Sequence, residues 1–188
     1  MKSQLLILIS GHNASGKSTL AKKIESQFDI SRVNVDIIRD LVINNIKYYS
    51  DTHYSYPNSK IKSANKVISI FRKELIKELL LQNQSVLIDG AGITQERRRA
   101  YLYLKNSSSN PIKTIIIEAT IDENTLLNRL KNRDNKNNRH KWIDFYKDIR
   151  KEKYETVEKK EANFILKYNQ NNSKKIIQAI KDILEDEY

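Results

Sequence analysis

One glycine-rich stretch constrains the fold of this chain more than any other part of its sequence. Residues 5–20 read LLILISGHNASGKSTL, and the pattern Gly-x-x-x-x-Gly-Lys-Ser runs from Gly11 to Ser18. An apolar run precedes the glycines, and a helix-forming run from Thr19 to Phe28 follows them directly. A buried strand, a glycine-rich turn and a helix N-terminus in this order direct backbone N–H groups at a phosphate. The sequence therefore predicts a phosphate-binding loop for a nucleoside triphosphate.

The residues of this loop have separate expected roles in binding ATP and Mg²⁺. Lys17 can reach the β- and γ-phosphates, and Ser18 can supply an oxygen to Mg²⁺. His12 is expected to contribute its backbone N–H rather than its ring. The predicted nucleotide-binding residues of the loop are Gly11, His12, Asn13, Ala14, Ser15, Gly16, Lys17, Ser18 and Thr19.

The composition is that of a folded enzyme rather than a disordered or membrane-spanning chain. The 188 residues fit one domain, and the apolar run at residues 5–9 is too short for a signal peptide or a membrane span. Cysteine is absent, which excludes a disulfide framework and a thiolate metal site. We therefore expect a single cytoplasmic domain over residues 1–188 with no membrane association.

The chain carries an excess of positive charge. Lys and Arg number 34 and Asp and Glu number 23, so the formal net charge is +11. Such a charge attracts polyanions, including nucleic acid. A composition rich in Lys, Asn, Ile and Tyr, with several basic residues for phosphate, produces the same charge. The charge therefore agrees both with a nucleic-acid partner and with an ordinary basic composition.

Apolar strands alternate with amphipathic helices along the whole sequence. The predicted strands are Gln4–Ser10, Arg32–Val35, Ser85–Asp89, Lys113–Glu118 and Asn163–Tyr168. The predicted helices are Lys17–Phe28, a helix that begins at Asp36, Lys60–Gln82, Gln95–Lys105, Asp122–Leu130, Trp142–Glu161 and Ser173–Leu184. This alternation predicts an α/β fold of the P-loop NTPase type, in which a five-stranded parallel sheet lies between two layers of helices.

The spacing of apolar residues predicts which face of each long helix is buried. The residues expected to be buried are Ile37, Ile38 and Leu41 in the second helix, Val67, Ile70, Phe71, Leu75 and Leu79 in the third, and Phe145, Ile149 and Tyr154 in the helix from Trp142. Between the second and third helices, Tyr48, Tyr49, Tyr54 and Tyr56 can equally stack on a base or pack a long loop.

Two acids lie at the carboxyl ends of predicted strands, at the edge of the sheet where ligands bind. One is Asp36, which Arg39 follows three residues later on the same helix face. The carboxylate can accept the proton of an attacking hydroxyl, and the guanidinium can bind a phosphate or carboxylate with two hydrogen bonds. As ordinary helix residues, Asp36 could instead cap the helix and Arg39 could pair with Asp40 or Asp36. Their position one strand from the loop favours the functional interpretation.

The second acid, Asp89, ends the third predicted strand. It can hold a Mg²⁺-bound water together with Ser18, or it can orient Arg39 and the acceptor. Capping of the turn at Gly90 is the structural alternative. If Asp89 has the metal-binding role, Ser18 and Asp89 together form the predicted Mg²⁺ site.

A polar and basic segment at residues 129–141 follows the fourth strand and the short helix after it. A mobile arm with arginines at this place can fold over a triphosphate, neutralise its charge and exclude water. A solvated loop between two helices is the alternative. The place in the chain favours a lid, in which Arg133 acts in catalysis and Arg129 binds the nucleotide. The loop Asn169–Asn172 is expected to border the adenine.

Together these motifs resemble those of a known kinase family. The features are the loop Gly11–Thr19, the pair Asp36-x-x-Arg39, the strand Val86–Asp89 followed by Arg97 and Arg98, and a lid with Arg133. They are similar to the P-loop kinases related to the 5′-kinase domain of phage polynucleotide kinase, a plan shared by zeta-toxin and gluconate-kinase-like small-molecule kinases.

The resemblance implies roles for three residues of this chain. Asp36 would be the general base toward a 5′-hydroxyl, Arg39 would contact the phosphate of the acceptor, and Arg133 would contact the phosphates of the donor. The chain departs from the family at Ala14, where many members have Gly. It also departs after Asp89, where Gly-Ala-Gly replaces the Thr-Asn pair common in polynucleotide kinases.

The sequence thus predicts ATP-dependent transfer of the γ-phosphoryl group to an acceptor hydroxyl, on a nucleic-acid 5′ end or on a small molecule. The predicted catalytic residues are Lys17, Asp36, Arg39 and Arg133, and ATP and Mg²⁺ are the predicted cofactors. Two alternatives stay open. They are a nucleoside monophosphate kinase, whose acceptor is itself a phosphate, and a nucleotide-gated regulatory module that contacts nucleic acid.

Overall fold

The computed structural model describes residues 4–49, 59–90, 92–136, 142–147 and 153–185. Its strands are β1 (Gln4–Gly11), β2 (Ser31–Asn34), β3 (Val86–Asp89), β4 (Ile112–Ala119) and β5 (Phe164–Tyr168). They form one parallel sheet in the order β2-β3-β1-β4-β5. Because all strands run in the same direction, their carboxyl ends meet at one edge of the sheet, which confirms the predicted fold class.

Helices connect the strands and cover the sheet. They are α1 (Lys17–Glu25), α2 (Val35–Asn45), α3 (Ser59–Leu81), α4 (Gln95–Leu102), α5 (Glu123–Lys136), α6 (Trp142–Phe145) and α7 (Ser173–Glu185). Short 3₁₀ turns occur at Tyr103–Ser107, Lys159–Glu161 and Gln170–Asn172. Within the described parts of the chain, no helix has the length and apolar character needed to cross a membrane.

The two faces of the sheet carry separate apolar cores. On β1 the side chains alternate, so that Leu5, Ile7 and Ile9 face α1 and α7. Leu6 and Leu8 point the other way and face α2, α3 and α4. Each of these side chains is almost fully buried. The helices therefore form the two outer layers that the sequence predicts.

The predicted buried faces of α2 and α3 are wrong in part. The exposed members are Ile37 and Leu41 in α2, and Val67, Ile70 and Phe71 in α3. The residues that are buried are Val35 and Ile38 in α2, and Ala64, Ile68, Ile76 and Leu80 in α3, with Leu75 and Leu79 partly buried beside them. Both helices carry apolar residues on two adjacent stripes, so spacing alone does not tell which stripe meets the sheet.

The helices after β4 also differ from the prediction. Helix α5 continues to Lys136 rather than ending near Leu130, so the first half of the predicted lid is helical. The rest of the predicted lid, residues 137–141, lies outside the described residues, as do Tyr54, Tyr56 and Ile149 and the side chain of Phe145. The predicted helix from Trp142 to Glu161 is correct at its start, where residues 142–147 are helical, and wrong at its end, where residues 154–158 are not helical; residues 148–152 lie outside the described ranges.

Bonds to Arg98 and Ile93 explain why the residues around Glu155 are not helical. Its guanidinium donates to the backbone carbonyls of Glu155 at 2.7 Å and Thr156 at 3.1 Å. The backbone N–H of Glu155 donates to the carbonyl of Ile93 at 2.9 Å. Because these groups bond to α4 and the turn before it, they are not available for helical hydrogen bonds.

Candidate active site

The backbone of the glycine-rich loop requires glycine at two positions. Gly11 has φ +141°, and a Cβ there would lie 2.5 Å from the carbonyl oxygen of Ala119 on β4. Gly16, which precedes α1, has φ +92°. Ala14 also has a positive φ, +64°, in the left-handed region that glycine adopts most readily. The loop thereby joins the end of β1 to the N-terminus of α1, where backbone N–H groups without helical partners can bind an anion.

Polar side chains of the loop are positioned for a phosphate. The ammonium group of Lys17 donates a hydrogen bond to the carbonyl of His12. The hydroxyl oxygen of Ser15 is buried and has no hydrogen-bond partner among the described residues. A buried polar atom without a partner costs free energy, so phosphate oxygens that accept from Ser15 and Lys17 fit this loop.

Asp89 connects the loop to the neighbouring strand β2. Its side chain is almost fully buried, and its Oδ1 accepts a hydrogen bond from the hydroxyl of Ser18 at 3.2 Å. Its Oδ2 accepts from Arg32 at 2.6 Å and from Asn34 at 2.8 Å. Burial alone would lower the pKa of Arg32, but Asp89 and Glu25 together raise it. The carboxylate therefore has one oxygen committed to β2 and the other facing the loop.

The oxygens of Ser18 and Asp89 fit a magnesium ion. Mg²⁺ prefers hard oxygen ligands and takes only one or two carboxylates from a protein beside the phosphates of its substrate. The hydroxyl of Ser18 and Oδ1 of Asp89 provide such a pair, 3.2 Å apart at the N-terminus of α1. These two residues are the ones that the sequence selects for the metal.

Asn34 links Asp36 to the same network. The Asn34 amide donates to Asp89, and its oxygen accepts from the backbone N–H groups of Asp36 at 2.9 Å and Ile37 at 3.0 Å. Asn34, not Asp36, is therefore the N-cap of α2. The carboxylate of Asp36 is 75% exposed and accepts a hydrogen bond from Arg39 at 2.8 Å. The structure thus brings the predicted acid and arginine together beside the loop.

Arg129 joins the other side of the loop to a cavity. Its guanidinium donates to the carbonyl of Ala14 at 2.9 Å. A cavity of about 440 Å³ is lined by Thr120, Ile121, Asp122, Thr125, Arg129, Asn169, Gln170 and Asn171. This volume suits a nucleoside, and residues 169–171 of the loop after β5, which the sequence places beside adenine, line it. Arg133 is exposed and lies one helical turn beyond Arg129 on the same side of α5.

Residues 154–157 pack against the carboxyl end of β4 beside the loop. The hydroxyl of Tyr154 donates to Oε1 of Glu118, at the end of β4, at 2.7 Å. The ring of His12 lies 4.5 Å from the ring of Tyr154 and 5.3 Å from that of Tyr146. Burial and the charge of Glu118 raise the pKa of Tyr154, so the phenol stays protonated and acts as a donor. Helical spacing predicts only a core position for Tyr154, and this role is not visible in the sequence.

The consecutive arginines of α4 separate into different environments. Arg98 is fully buried and forms an ion pair with Glu161, from Nε to Oε2 at 2.7 Å. Arg99 is exposed. Arg97 is exposed, and its charge lowers the pKa of Arg72 of α3, after the larger effect of burial. The sequence does not predict a role for Arg72. The one indication in the sequence is that this charged residue lies between apolar residues of α3.

Comparison with known proteins assigns the family of this fold. The model of the family described as "AAA domain" matches residues 6–145, which include the glycine-rich loop, Asp36, Asp89 and Arg133. This chain belongs to that AAA domain family. Among curated proteins its sequence has no significant match.

Solved structures of kinases and nucleotide-bound proteins share the fold of this AAA domain protein. A presumed kinase from Chloroflexus aurantiacus has a TM-score of 0.75 at 14% identity, over 98% of both chains. Kti12 of Chaetomium thermophilum, in complex with ADP-AlF3, has a TM-score of 0.66 at 13% identity, over 96% of this chain and 100% of that one. The APS kinase CysC of Mycobacterium tuberculosis, in complex with AMPPNP and APS, has a TM-score of 0.58 at 14% identity, over 98% and 99%. The fold is therefore that of P-loop kinases and their nucleotide-binding relatives.

Proposed function

We propose that this protein is a Mg²⁺- and ATP-dependent phosphotransferase whose acceptor is a hydroxyl group. The observation that best supports this proposal is the line of contacts from Ser18 through Asp89 and Asn34 to Asp36. It fixes the first turn of α2, which carries the exposed carboxylate of Asp36, next to the strand that ends at Asp89. A phosphotransferase uses such a carboxylate, whereas a protein that only binds and releases nucleotide does not need it.

The donor half of the site consists of the loop and α5. The loop N–H groups, Ser15 and Lys17 bind the β- and γ-phosphates, and the cavity beside Arg129 receives the nucleoside. Ser18 and Asp89 would hold Mg²⁺, which would neutralise charge on the phosphates. Arg133, one turn further along α5, covers the transferred phosphoryl group.

The acceptor half consists of Asp36 and Arg39. Asp36 accepts the proton of the acceptor hydroxyl as the acceptor oxygen forms a bond to the γ-phosphorus. The bond from the γ-phosphorus to the bridging oxygen breaks at the same time, and ADP leaves with that oxygen. Arg39 holds the carboxylate in place and faces the acceptor.

The proposal is tested by separating phosphoryl transfer from ATP binding. Release of ADP is measured against 5′-hydroxyl oligonucleotides, nucleosides, nucleotides, sugars and aminoglycosides, and binding of a non-hydrolysable ATP analogue is measured by calorimetry. We expect Lys17→Ala to abolish binding and transfer. Asp36→Ala should keep the affinity for the analogue and lose transfer by about 10²-fold or more, because the general base is gone.

Asp40→Ala is the matched control, because Asp40 is an exposed carboxylate on the same helix. It should transfer phosphoryl at the rate of the wild type. Full transfer by the Asp36→Ala variant would disprove the assignment of the base. Tight analogue binding with no stimulation by any acceptor would instead favour a nucleotide-gated regulatory module.

A further inference from the structure

The imidazole of His12 contacts two tyrosine rings from other parts of the chain. The centroid of the His12 ring lies 4.5 Å from that of Tyr154, with an angle of 39° between the ring planes. The ring of Tyr146, which follows α6, meets the imidazole at 84° and 5.3 Å. Aromatic rings favour tilted and edge-to-face arrangements at such distances. The side chain of this loop residue is therefore held between two tyrosines.

The backbone of His12 is the point at which the phosphate-binding loop closes on itself. Its carbonyl accepts a hydrogen bond from the ammonium group of Lys17. The same carbonyl accepts from the backbone N–H of Ser15 at 3.3 Å. The ring and the carbonyl of His12 belong to one residue, so contacts that fix the ring also restrict the direction of the carbonyl. The position of Lys17 is thereby linked to the two tyrosines.

Tyr154 is itself fixed by a buried carboxylate. Its hydroxyl donates to Oε1 of Glu118 at 2.7 Å, and the same oxygen accepts from the backbone N–H of Val157 at 3.2 Å. Glu118 is 3% exposed and lies on β4, opposite Ser10 of β1. Hydrogen bonds to a carboxylate are stronger than those between neutral groups. The ring of Tyr154 is therefore anchored to a strand in the interior of the sheet.

The segment that carries this tyrosine is held at a second place. Arg98 and Glu161 form a fully buried ion pair with 2.7 Å between Nε and Oε2. Arg98 also donates to the carbonyl of Gly92 at 3.1 Å, and the hydroxyl of Ser10 donates to that carbonyl at 2.7 Å. Residues 154–161 are thus tied to α4 and to the sheet by contacts that involve no nucleotide.

We propose that Tyr154 is a positioning residue for the phosphate-binding loop, and that it acts through the ring of His12 on the carbonyl that holds Lys17. This inference rests on the proposed phosphotransferase function, because it concerns the loop that binds the phosphates of ATP. A loop that is fixed before ATP arrives loses less conformational freedom on binding, which gives a higher affinity. Tyr154 has this effect without touching the nucleotide.

A double-mutant cycle between Tyr154 and His12 tests the proposed route. Binding of Mg²⁺ and a non-hydrolysable ATP analogue is measured by calorimetry. We expect Tyr154→Leu to weaken binding by about 10-fold, which corresponds to the cost of ordering about one side chain. In the His12→Ala background, where the ring contact is absent, the same substitution should change the affinity by less than about 2-fold. Equal losses in both backgrounds, or no loss in either, would overturn the proposal.

Tyr103→Leu is the matched control, since Tyr103 is 72% exposed in the turn Tyr103–Ser107. Its affinity for the analogue should equal that of the wild type. If Tyr154→Leu does not fold in thermal unfolding, Tyr154→Phe replaces it in both backgrounds. This variant keeps the ring and loses the bond to Glu118, so we expect a smaller loss of about 3-fold that also disappears in the His12→Ala background. An equal loss in both backgrounds would again contradict the route through His12.

Proton NMR of the nucleotide-free protein reports on the ring contact directly. The chain has three histidines, and the signal that is missing from His12→Ala identifies the imidazole of His12. A neighbouring aromatic ring shifts this signal, so Tyr154→Leu should move it and Tyr103→Leu should not. A signal that stays in place in Tyr154→Leu would overturn the proposal.

The proposed function and this inference fail in distinguishable ways. Tight analogue binding with no stimulation by any acceptor would disprove the phosphotransferase, while the cycle between Tyr154 and His12 would still be read from binding alone. Equal losses in the two backgrounds, together with the loss of transfer in Asp36→Ala, would overturn only the role of Tyr154. Absence of analogue binding by the wild type would overturn both.

Discussion

At the scale of single residues, the two oxygens of Asp89 have partners of different kinds. One of its oxygens faces Ser18 and the proposed metal, while the other binds Arg32 at 2.6 Å and Asn34 at 2.8 Å. The charge of Asp89 is therefore required both for the metal and for the buried guanidinium of β2. A nucleotide-site acid of this kind contributes to stability as well as to chemistry.

Asp89→Asn tests the structural share of this arrangement. The substitution keeps the shape of the side chain and leaves Arg32, whose side chain is only 10% exposed, without its buried counter-charge. We expect the free energy of unfolding to fall by about 3 kcal/mol, measured by urea denaturation without nucleotide. Glu25→Gln, which removes the more exposed partner of Arg32, should cost less than about 1 kcal/mol. Equal losses for the two variants would contradict the assignment.

At the scale of secondary structure, the two arginines of the predicted lid that lie on α5 have different surroundings. Arg129 is held against the loop by its bond to the carbonyl of Ala14, whereas Arg133 is exposed. Arg129→Gln should therefore weaken binding of the ATP analogue. Arg133→Gln should keep that affinity and lower phosphoryl transfer by about 10²-fold or more, because it removes positive charge from the transferred group.

The exposed Lys131, between the two arginines in sequence but on another side of α5, provides the control. Lys131→Gln should match the wild type in both the calorimetric and the ADP-release measurement. If Arg129→Gln and Arg133→Gln changed only binding, α5 would be a nucleotide-binding helix without a role in catalysis.

The sequence predicts the bounds of the strands in this fold better than it predicts which face of each helix is buried. Short apolar runs with polar or glycine boundaries mark all strands except β2, and all five predicted strands agree with the structure to within one residue at each end. In α2 and α3, by contrast, apolar residues such as Ile37 and Phe71 form a second stripe beside the buried one. Propensity also favours a helix that continues from Trp142 to Glu161, but the long-range bonds of Arg98 and Glu118 to residues 155–157 prevent it there. Such bonds depend on tertiary structure, which local patterns do not report.

The same limit applies to the candidate site. Gly11, Lys17, Ser18 and Asp89 follow from a motif and from the rule that ligands bind at the carboxyl ends of parallel strands. Arg72 belongs to a helix whose buried stripe the sequence places incorrectly. Its position opposite Tyr101 becomes visible only when α3 and α4 are packed together.

At the scale of the whole molecule, the buried ion pair of Arg98 and Glu161 connects residues 154–161 to the rest of the protein. Arg98 binds both carboxylate oxygens of Glu161, at 2.7 and 2.9 Å, as well as the carbonyls of Gly92, Glu155 and Thr156. Both side chains of the pair are fully buried. Arg98 thereby holds together α4, the turn after β3 and residues 154–161, which include the Tyr154 ring beside His12.

This pair makes stability depend on pH in the acid range. Burial alone would raise the pKa of Glu161, but hydrogen bonds from Arg98 and from the backbone of Glu158 hold it below its ordinary value. The stabilisation is therefore complete above the pKa of the unfolded chain, about 4.3, and is lost as the pH falls through the lower pKa of the folded protein. We expect Glu161→Gln to be less stable than the wild type by about 3 kcal/mol at neutral pH, with the difference shrinking below about pH 4. Urea denaturation across this range measures it, with Glu78→Gln at an exposed site of α3 as a control that should follow the wild type. A difference between Glu161→Gln and the wild type that stayed constant down to about pH 3 would show that the carboxylate charge of Glu161 does not hold the segment.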